Sequence, residues 1–317
     1  MNKKTPGSES FYRKFIQIPG PNPILSPGEK DAWDEHLIEC GDVFKDQYTY
    51  YLYYHGSAKN RRLWPARNPG LSYRIGVATA PTPLGPWVKY GRNPIVDLGA
   101  DDSWENMHVA CPHIVKEKEN TYNMWYSAWS DKGKKWNIGL ATASNPLGPW
   151  TKYKKNPVLK DFGYVGSVLK VNDKYLMYAE HPVGGCSPDQ GPICLAVADR
   201  PEGPWRKYKN NPVLAPDNWG SWDDGGYSES KVVYHDGMFH MFYAGTKWKK
   251  LERIGYAHSR DGCNFTKYPG NPIALTERCP PANAFAEVHA LFEPPLIYLY
   301  HTLRFKDVDF DREDIGV

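Results

Sequence analysis

The chain has 317 residues, of which 41% are hydrophobic and 24% are charged, as in ordinary globular proteins. Its formal net charge of +3 gives no indication of a nucleic-acid partner. It also lacks the apolar run of about 18 residues that a membrane-spanning helix needs. The basic N-terminus, Met1–Gly7, is not followed by an apolar stretch. We therefore expect no intact signal peptide, and a cytoplasmic protein unless a leader was trimmed from a secreted or periplasmic one.

An Asn-Pro dipeptide followed by two apolar residues occurs five times and divides the chain into units of about 60 residues. The copies begin at Asn22, Asn93, Asn156, Asn211 and Asn271. A Lys-Tyr pair stands shortly before the last four copies, and Gly-Pro-Trp stands before three of them. Self-similarity of this kind is typical of repeat folds, in which each repeat is one supersecondary unit.

Each unit contains four strand-like segments, which we name A to D from the predicted axis outward. Strand B is an aromatic run, as in Tyr50–His55, and strand C is a short apolar run, as in Ile75–Ala78. Aromatic residues are 14% of the chain, which together with short β-type segments favours an all-β fold. Five units of four strands predict a five-bladed β-propeller with four antiparallel strands per blade, forming one catalytic domain over residues 1–317.

The two ends of the chain complement each other. The last residues, Ile315–Val317, match strand C of the fifth unit, which therefore lacks its strand D. Phe11–Ile16 resembles a spare strand D ahead of the first unit. We predict that residues from about 10 to 18 pair into the fifth blade and close the ring, because closure removes two exposed sheet edges.

Acidic residues are frequent in the segments that lead into the five A strands, and these segments converge on the propeller axis. Glycosidic cleavage needs one carboxylic acid to protonate the leaving oxygen and a second carboxylate to activate water or attack carbon. The environments of the two groups must separate their pKa values. We therefore predict four catalytic residues, namely Asp34, Glu39, Glu105 and Glu229.

Glu229 is predicted to be the general acid, because an acid placed once where the repeat prefers apolar residues indicates function. In our repeat alignment its equivalents are Cys40, Cys111, Val165 and Val288. Asp34 is predicted to be the base or nucleophile, with Glu39 as the rival, and Glu105 to tune or orient the site. A Trp-Asp or Trp-Glu pair recurs in three blades, however, and a recurring acid can instead hold a turn through backbone N–H groups. Both interpretations stay open for Asp34, Glu105 and Asp223.

Ten further residues of the same face are predicted to bind substrate. They are Asp102, His108, Trp136, Tyr164, His181, Asp223, Asp224, Trp248, Glu287 and His289. The loops between strands B and C are rich in Lys and Arg, and blade five contributes Arg304. These charges either balance the acids at a solvated rim or bind a negatively charged substrate or phosphate. The six cysteines show no metal-ligand spacing, so we expect buried free thiols and neither a metal nor a cofactor.

The pattern Ala-Thr-Ala, Pro-Leu-Gly-Pro-Trp and Asn-Pro at 78–95 and again at 141–158 resembles the five-bladed propeller glycosidases. These are glycoside hydrolase family 43 and its relatives in families 32, 68, 117 and 130, and the resemblance covers nearly the whole chain. It implies a base Asp in blade one, a pKa-tuning Asp in blade three and an acid Glu in blade four, all at one position of strand A. Glu229 falls on the acid position, whereas Cys40 and Val165 occupy the other two, which indicates a divergent member.

The predicted function is that of a glycoside hydrolase acting on a terminal bond of an oligosaccharide or polysaccharide, such as a furanoside or an anionic glycan. Two alternatives stay open. One is a phosphorylase resembling family 130, in which the basic loops hold phosphate, and the other is a sugar-binding propeller without catalysis. The segments that lead into the A strands differ strongly between blades, which favours one central site over a pocket repeated in each blade. The choice between inversion and retention and the oligomeric state are left open.

Overall fold

The computed structural model describes residues 22–59, 71–181, 190–247, 252–273, 284–305 and 313–317. These residues form nineteen strands and no helix, so the predicted all-β class is confirmed. In this part of the chain, no helix has the length and hydropathy that crossing a membrane requires.

The strands follow the chain blade by blade. Blade one contains β1 (Leu37–Asp46), β2 (Thr49–Lys59), β3 (Leu71–Ala80) and β4 (Val88–Lys89). Blade two contains β5 (His108–Lys118), β6 (Thr121–Trp129), β7 (Asn137–Ala143) and β8 (Thr151–Lys152). Blade three contains β9 (Tyr164–Val171), β10 (Lys174–Glu180), β11 (Ile193–Ala198) and β12 (Arg206–Lys207). Blade four contains β13 (Gly226–His235), β14 (Met238–Thr246), β15 (Glu252–Ser259) and β16 (Thr266–Lys267). Blade five contains β17 (Ala284–Glu293), β18 (Leu296–Arg304) and β19 (Glu313–Gly316).

Each blade is one antiparallel sheet with its strands in sequence order. The A strands β1, β5, β9, β13 and β17 contact one another in cyclic order, so that β17 returns to β1. The predicted five-bladed propeller is therefore confirmed. We call the face at which the A strands begin, and the B strands end, the top face.

Buried aromatic residues of strand B join each blade to the next. Tyr53 donates a hydrogen bond to the carbonyl of Pro146 at 2.6 Å, and Trp125 donates to that of Pro201 at 3.1 Å. Tyr178 donates in the same way to Gly262 at 2.8 Å. All the acceptors lie in loops between strands C and D, where the repeated Gly-Pro-Trp motif stands. The aromatic run of strand B is thus explained by apolar packing between sheets together with one polar contact to the neighbouring blade.

The repeated Asn-Pro motif fastens a segment of chain to strand C. Asn93 accepts a hydrogen bond from the N–H of Val77 at 3.0 Å and donates one to its carbonyl at 2.9 Å. Asn156 does the same at Leu140. The side chain amide therefore takes the place of a paired backbone residue and satisfies both polar groups of the strand.

Blade five uses the first copy of this motif to close the ring. Asn22 pairs with the N–H and carbonyl of Val317 at 2.9 and 3.0 Å, and Leu25 bridges Ile315. Tyr300 of β18 donates to the carbonyl of Pro83 in blade one at 2.8 Å. The two ends of the chain therefore meet in the fifth blade, as predicted. The additional strand predicted at residues 10–18 lies outside the described residues.

Every A strand carries a β-bulge near the top face, and the strand pairing beyond it fixes which residues are equivalent. Equivalent residues lie opposite the buried aromatic positions of strand B: Asp42 opposite Tyr53, His113 opposite Trp125, Ser167 opposite Tyr178, Lys231 opposite Phe242 and His289 opposite Tyr300. We call these five A-strand residues the inner ring. Two residues nearer the top face lie Cys40, Cys111, Val165, Glu229 and Glu287, which we call the top ring.

The register corrects one sequence-based equivalence. The position that matches Glu229 in blade five is Glu287, and not Val288 as the repeat alignment predicted. Counting from the inner ring gives this match, because Glu229 lies two residues before Lys231 and Glu287 lies two residues before His289. The top ring therefore holds two acids rather than one.

Tyr300→Phe is expected to lower the free energy of unfolding by about 1–2 kcal/mol, because it leaves the part-buried Pro83 carbonyl without its donor at the ring closure. Urea denaturation measures this difference. Tyr298→Phe, two residues away on the same strand, removes an equal hydroxyl group and is the matched control. Equal stability losses in the two variants would contradict a closing role for the Tyr300 contact.

Candidate active site on the top face

Glu229 reaches the axis from blade four and meets a thiol from blade two. The Sγ of Cys111 lies 2.9 Å from Oε1 of Glu229, and both side chains are buried. Burial raises the pKa of Glu229, and the charge of Glu39 raises it further. Burial also raises the pKa of Cys111 well above its usual value, so the thiol keeps its proton and can donate it to Glu229 in a hydrogen bond.

Glu39 lies at the top face of blade one, among groups that stabilise its charge. Its Oε2 is 2.6 Å from Nε2 of His55, and Tyr73 donates to its Oε1 at 3.0 Å. Burial by itself would raise the pKa of Glu39, but His55 and the guanidinium of Arg304 outweigh it and lower this pKa to about 2. The sequence-based interpretation did not include His55 or Tyr73. A signal for His55 was present, because the equivalent residues of the other four B strands are Ser127, Glu180, Ala244 and Thr302, and only blade three shares an ionisable side chain there.

Arg304, at the end of β18, is surrounded by carboxylates. Its Nη2 lies 2.8 Å from Glu287, its Nε lies 2.8 Å from Glu313, and its Nη1 pairs with Glu252. The three glutamates are buried, and the side chain of Arg304 is 15% exposed. Burial raises the pKa of Glu287 and of Glu313 well above the usual range, although Arg304 opposes this shift. Of the two roles considered for the basic loops, Arg304 takes that of balancing the acids.

The adjoining part of the top face, on blades two and three, is aromatic. The rings of Trp136 and Tyr164 lie 4.4 Å apart, and His108 lies 5.6 Å from Trp136. Trp136 and Tyr164 are half-buried, whereas His108 is fully buried, and burial lowers the pKa of His108 to about 4. Three predicted substrate-binding residues are thus brought together, with partly exposed aromatic surface at which a sugar could stack.

The acids of the repeated Trp-Asp and Trp-Glu pairs are held inside their blades. Asp34 accepts hydrogen bonds from Lys89 of β4 at 2.6 Å and from Tyr54 at 3.0 Å. Glu105 accepts from Lys152 of β8 and Tyr126, and Asp223 accepts from Lys267 of β16 and Tyr227. We call these three arrangements the clamps. In blade three, which has no such acid, Lys207 donates to the backbone carbonyl of Asp161 instead.

The clamps favour the structural interpretation that the sequence left open. Each one ties the outermost strand of a blade to the segment that leads into strand A. Strand C supplies a glycine beneath it: a Cβ at Gly76 would lie 2.8 Å from the ring of Tyr54, and Gly139 and Gly255 face equivalent tyrosines. Carboxylates already paired with a lysine and a tyrosine are poorly placed to exchange protons with a substrate.

The remaining predicted residues are scattered. Asp102 is exposed, and Asp224 is buried and accepts the N–H of Gly220 at 2.7 Å, which stabilises the turn before β13. His181 packs edge-on against Phe162, and burial lowers its pKa. Trp248 lies outside the described residues. His289 does not reach the top ring and belongs to the inner ring.

The inner ring contains charged residues that sequence reasoning did not select. Asp42 lies 2.6 Å from Nζ of Lys231 and 3.2 Å from Nδ1 of His113. Despite burial, these cations and ring nitrogens hold the pKa of Asp42 far below its usual value. Asp42, His113 and His289 place three potential metal-ligand atoms within 4.8 Å of one another. The signal was a titratable residue in four of the five blades at a strand position that the fold buries on the axis.

Comparison with known proteins gives short sequence matches. No protein-family profile matches the chain. A 1,2-beta-oligomannan phosphorylase from a Thermoanaerobacter species is 30% identical over 69 residues, which are 20% of this chain and 23% of that protein. A beta-1,2-mannobiose phosphorylase from the same organism is 29% identical over 84 residues, 22% of this chain and 28% of that protein. The chain thus matches about a quarter of the length of these relatives.

Solved structures match over most of the chain at low identity. A thermostable family-43 glycoside hydrolase has a TM-score of 0.64 and 21% identity, with 88% of each chain covered. A family-117 glycoside hydrolase from Zobellia galactanivorans has a TM-score of 0.62 and 19% identity, with coverage of 92% and 88%. A family-130 structure, from a family of mannoside phosphorylases that contains hydrolases of beta-1,2 mannosidic linkages, has a TM-score of 0.68 and 16% identity over 93% and 91%. The predicted resemblance is confirmed at the level of fold: the chain is a divergent five-bladed β-propeller with the architecture of these glycoside hydrolases.

Proposed function

We propose that this chain is a glycoside hydrolase, with Glu229 as the general acid and Glu39 as the base or nucleophile. The likeness to carbohydrate-active propellers supports the class of enzyme. The observation that carries the proposal is a pair of top-face glutamates in opposite environments. Burial favours the protonated form of Glu229, whereas His55 and Arg304 keep Glu39 ionised. One protonated and one ionised carboxyl group is the pair that glycosidic cleavage requires.

The contacts of Glu229 indicate which oxygen delivers the proton. Since the Cys111 thiol lies against Oε1, that oxygen accepts a hydrogen bond, and the transferable proton is expected on Oε2. Glu229 would protonate the leaving oxygen of the glycosidic bond. Glu39 would then activate water or attack the sugar carbon, with His55 and Tyr73 holding its carboxylate in place.

Glu39 is proposed in place of Asp34, the first candidate from sequence. Asp34 is 2% exposed and is already bound by Lys89 and Tyr54 within its own blade. Glu39 instead belongs to the cluster that electrostatically couples blade four, blade five and blade one. The aromatic group of Trp136, Tyr164 and His108 would hold the sugar beside these acids, since His108 contacts Tyr73, the hydrogen-bond donor to Glu39.

A phosphorylase is the second candidate, because the two curated relatives are named as phosphorylases. The described top face argues against it. The Nε, Nη1 and Nη2 donors of Arg304 are occupied by Glu313, Glu252 and Glu287. A phosphate would have to displace at least one of these three buried glutamates from the arginine. The same argument weighs against an anionic glycan as substrate.

Glu229→Gln and Glu39→Gln are each expected to lower kcat/KM by about 10²–10⁴, because each removes a proton-transfer group while keeping the side chain shape. Asp34→Asn is the matched control, and its kcat/KM is expected to fall at most about tenfold. Its free energy of unfolding should fall by about 1–3 kcal/mol, because the substitution weakens the clamp. Turnover of a panel of aryl furanosides and pyranosides measures the first effect. A larger loss in Asp34→Asn than in Glu39→Gln would return the base to Asp34, and sugar binding without turnover would support a non-catalytic propeller.

The pH profile of kcat/KM is expected to fall on its alkaline side as Glu229 loses its proton, at a pH above the usual range for a glutamate. Its acid side should extend far below pH 4, because Glu39 remains ionised down to about pH 2. His55→Asn should move the acid limb upward, since burial then acts on Glu39 with less opposition. An acid limb that does not move in this variant would contradict the role of Glu39.

Added inorganic phosphate is expected to leave the rate and the product unchanged, with free sugar released, because all three nitrogens of Arg304 already contact glutamates. Product analysis by mass spectrometry separates free sugar from sugar phosphate. Formation of sugar 1-phosphate would instead establish the phosphorylase.

A further inference from the structure

The inner ring lies two residues along strand A below the top ring and has no part in the proposed chemistry. Asp42, His113 and His289 are each at most 3% exposed, and Lys231 is 8% exposed. Groups of this kind are costly to bury unless they are paired, so their arrangement calls for a physical explanation.

Three of these residues form a ligand set. A carboxylate oxygen of Asp42 and one ring nitrogen each of His113 and His289 lie within 4.8 Å of one another. Two imidazoles and a carboxylate are a common ligand set for divalent transition-metal ions. The carbonyl of Val168 lies 2.9 Å from Nε2 of His113 and can only accept, so Nε2 carries the hydrogen. In the neutral ring, the lone pair on Nδ1 then points toward Asp42, as in metal-binding histidines that are oriented by a carbonyl.

The chain already places a cation among these atoms. Nζ of Lys231 is 2.6 Å from Oδ1 of Asp42 and 3.4 Å from Nδ1 of His113. Without it, Oδ2 of Asp42 and the lone pair on Nδ1, 3.2 Å apart, would repel each other. A metal ion bound to Asp42 at about 2 Å would lie a few ångströms from the ammonium group. In this buried position the two positive charges exclude each other.

We propose that Asp42, His113 and His289 form a latent transition-metal site that is held closed by the ammonium group of Lys231. The ammonium group of the lysine balances the charge of Asp42, so the inner ring needs no metal ion for this purpose. Removing its charge leaves Asp42 as an uncompensated buried anion beside two imidazole lone pairs. A divalent ion of the Zn²⁺ or Co²⁺ class then takes the place of the ammonium.

Lys231→Met tests the proposal, because methionine keeps an unbranched chain of similar length and removes only the charge. Co²⁺ is the probe, added to tag-free protein and followed by calorimetry and by its visible absorption, which reports nitrogen ligation. Lys231→Met is expected to bind one Co²⁺ at least about a hundredfold more tightly than the wild type, because the charge repulsion is gone. Lys231→Arg, which keeps the charge, and the double variant Lys231→Met/His289→Ala are expected to bind no more tightly than the wild type.

Three results would overturn the proposal. The first is that the wild type binds Co²⁺ as tightly as Lys231→Met does. The second is that Lys231→Met is folded, as judged by near-ultraviolet circular dichroism, but binds no Co²⁺. If Lys231→Met does not fold alone, it is refolded with and without Zn²⁺, and the proposal requires that the metal restores the fold. Failure to fold in both conditions is the third. None of these measurements depends on the proposed hydrolase activity.

Discussion

The contact on which the site depends is the closure of the ring between blade five and blade one. Tyr300 donates to the Pro83 carbonyl, and Asn22 pairs with both backbone groups of Val317. Only this closure brings Arg304 and its three glutamate partners from the last blades to Glu39 in the first. An open array of the same blades would separate Glu39 from the guanidinium that lowers its pKa. The fold and the electrostatics of the candidate site therefore depend on the same few hydrogen bonds at the ends of the chain.

Burial of many carboxylates around a single arginine gives the top face its chemistry. Arg304 neutralises part of the charge of Glu252, Glu287 and Glu313, and His55 stabilises a further charge on Glu39. The remaining acids cannot all be ionised in a buried cluster, because like charges held close together raise one another's pKa. The pKa values of these glutamates therefore differ: that of Glu39 is lowered, and that of Glu229 is raised. This separation of protonation states is what the proposed acid role of Glu229 and base role of Glu39 require.

The clamps and the axial residues show how the same residue type serves two purposes. Asp34, Glu105 and Asp223 repeat with the blades, and each finds a lysine on the outermost strand of its own blade. Glu39 and Glu229 do not repeat in this way, and each finds partners from other blades or from unique side chains. The inner ring follows the second pattern, since its ion pair joins Asp42 of blade one to Lys231 of blade four. Ion pairs that recur in several blades stabilise the repeated unit. Glu39, Glu229 and the Asp42–Lys231 pair do not follow the repeat.

The sequence alone determined the five blades, the position of strands A to D and the meeting of the chain ends. These features follow from a local rule, because a motif that repeats along the chain must fold repeatedly. The catalytic role of Glu229 stays a prediction. Only the tertiary structure decided that Glu287 shares the top ring, because the equivalence follows from the pairing of each A strand with its B strand. Only the structure could pair Glu39 with His55, Arg304 with three glutamates, and Lys231 with Asp42. These partners lie far apart in the chain, and the protonation of a buried carboxyl group is set by its neighbours in space.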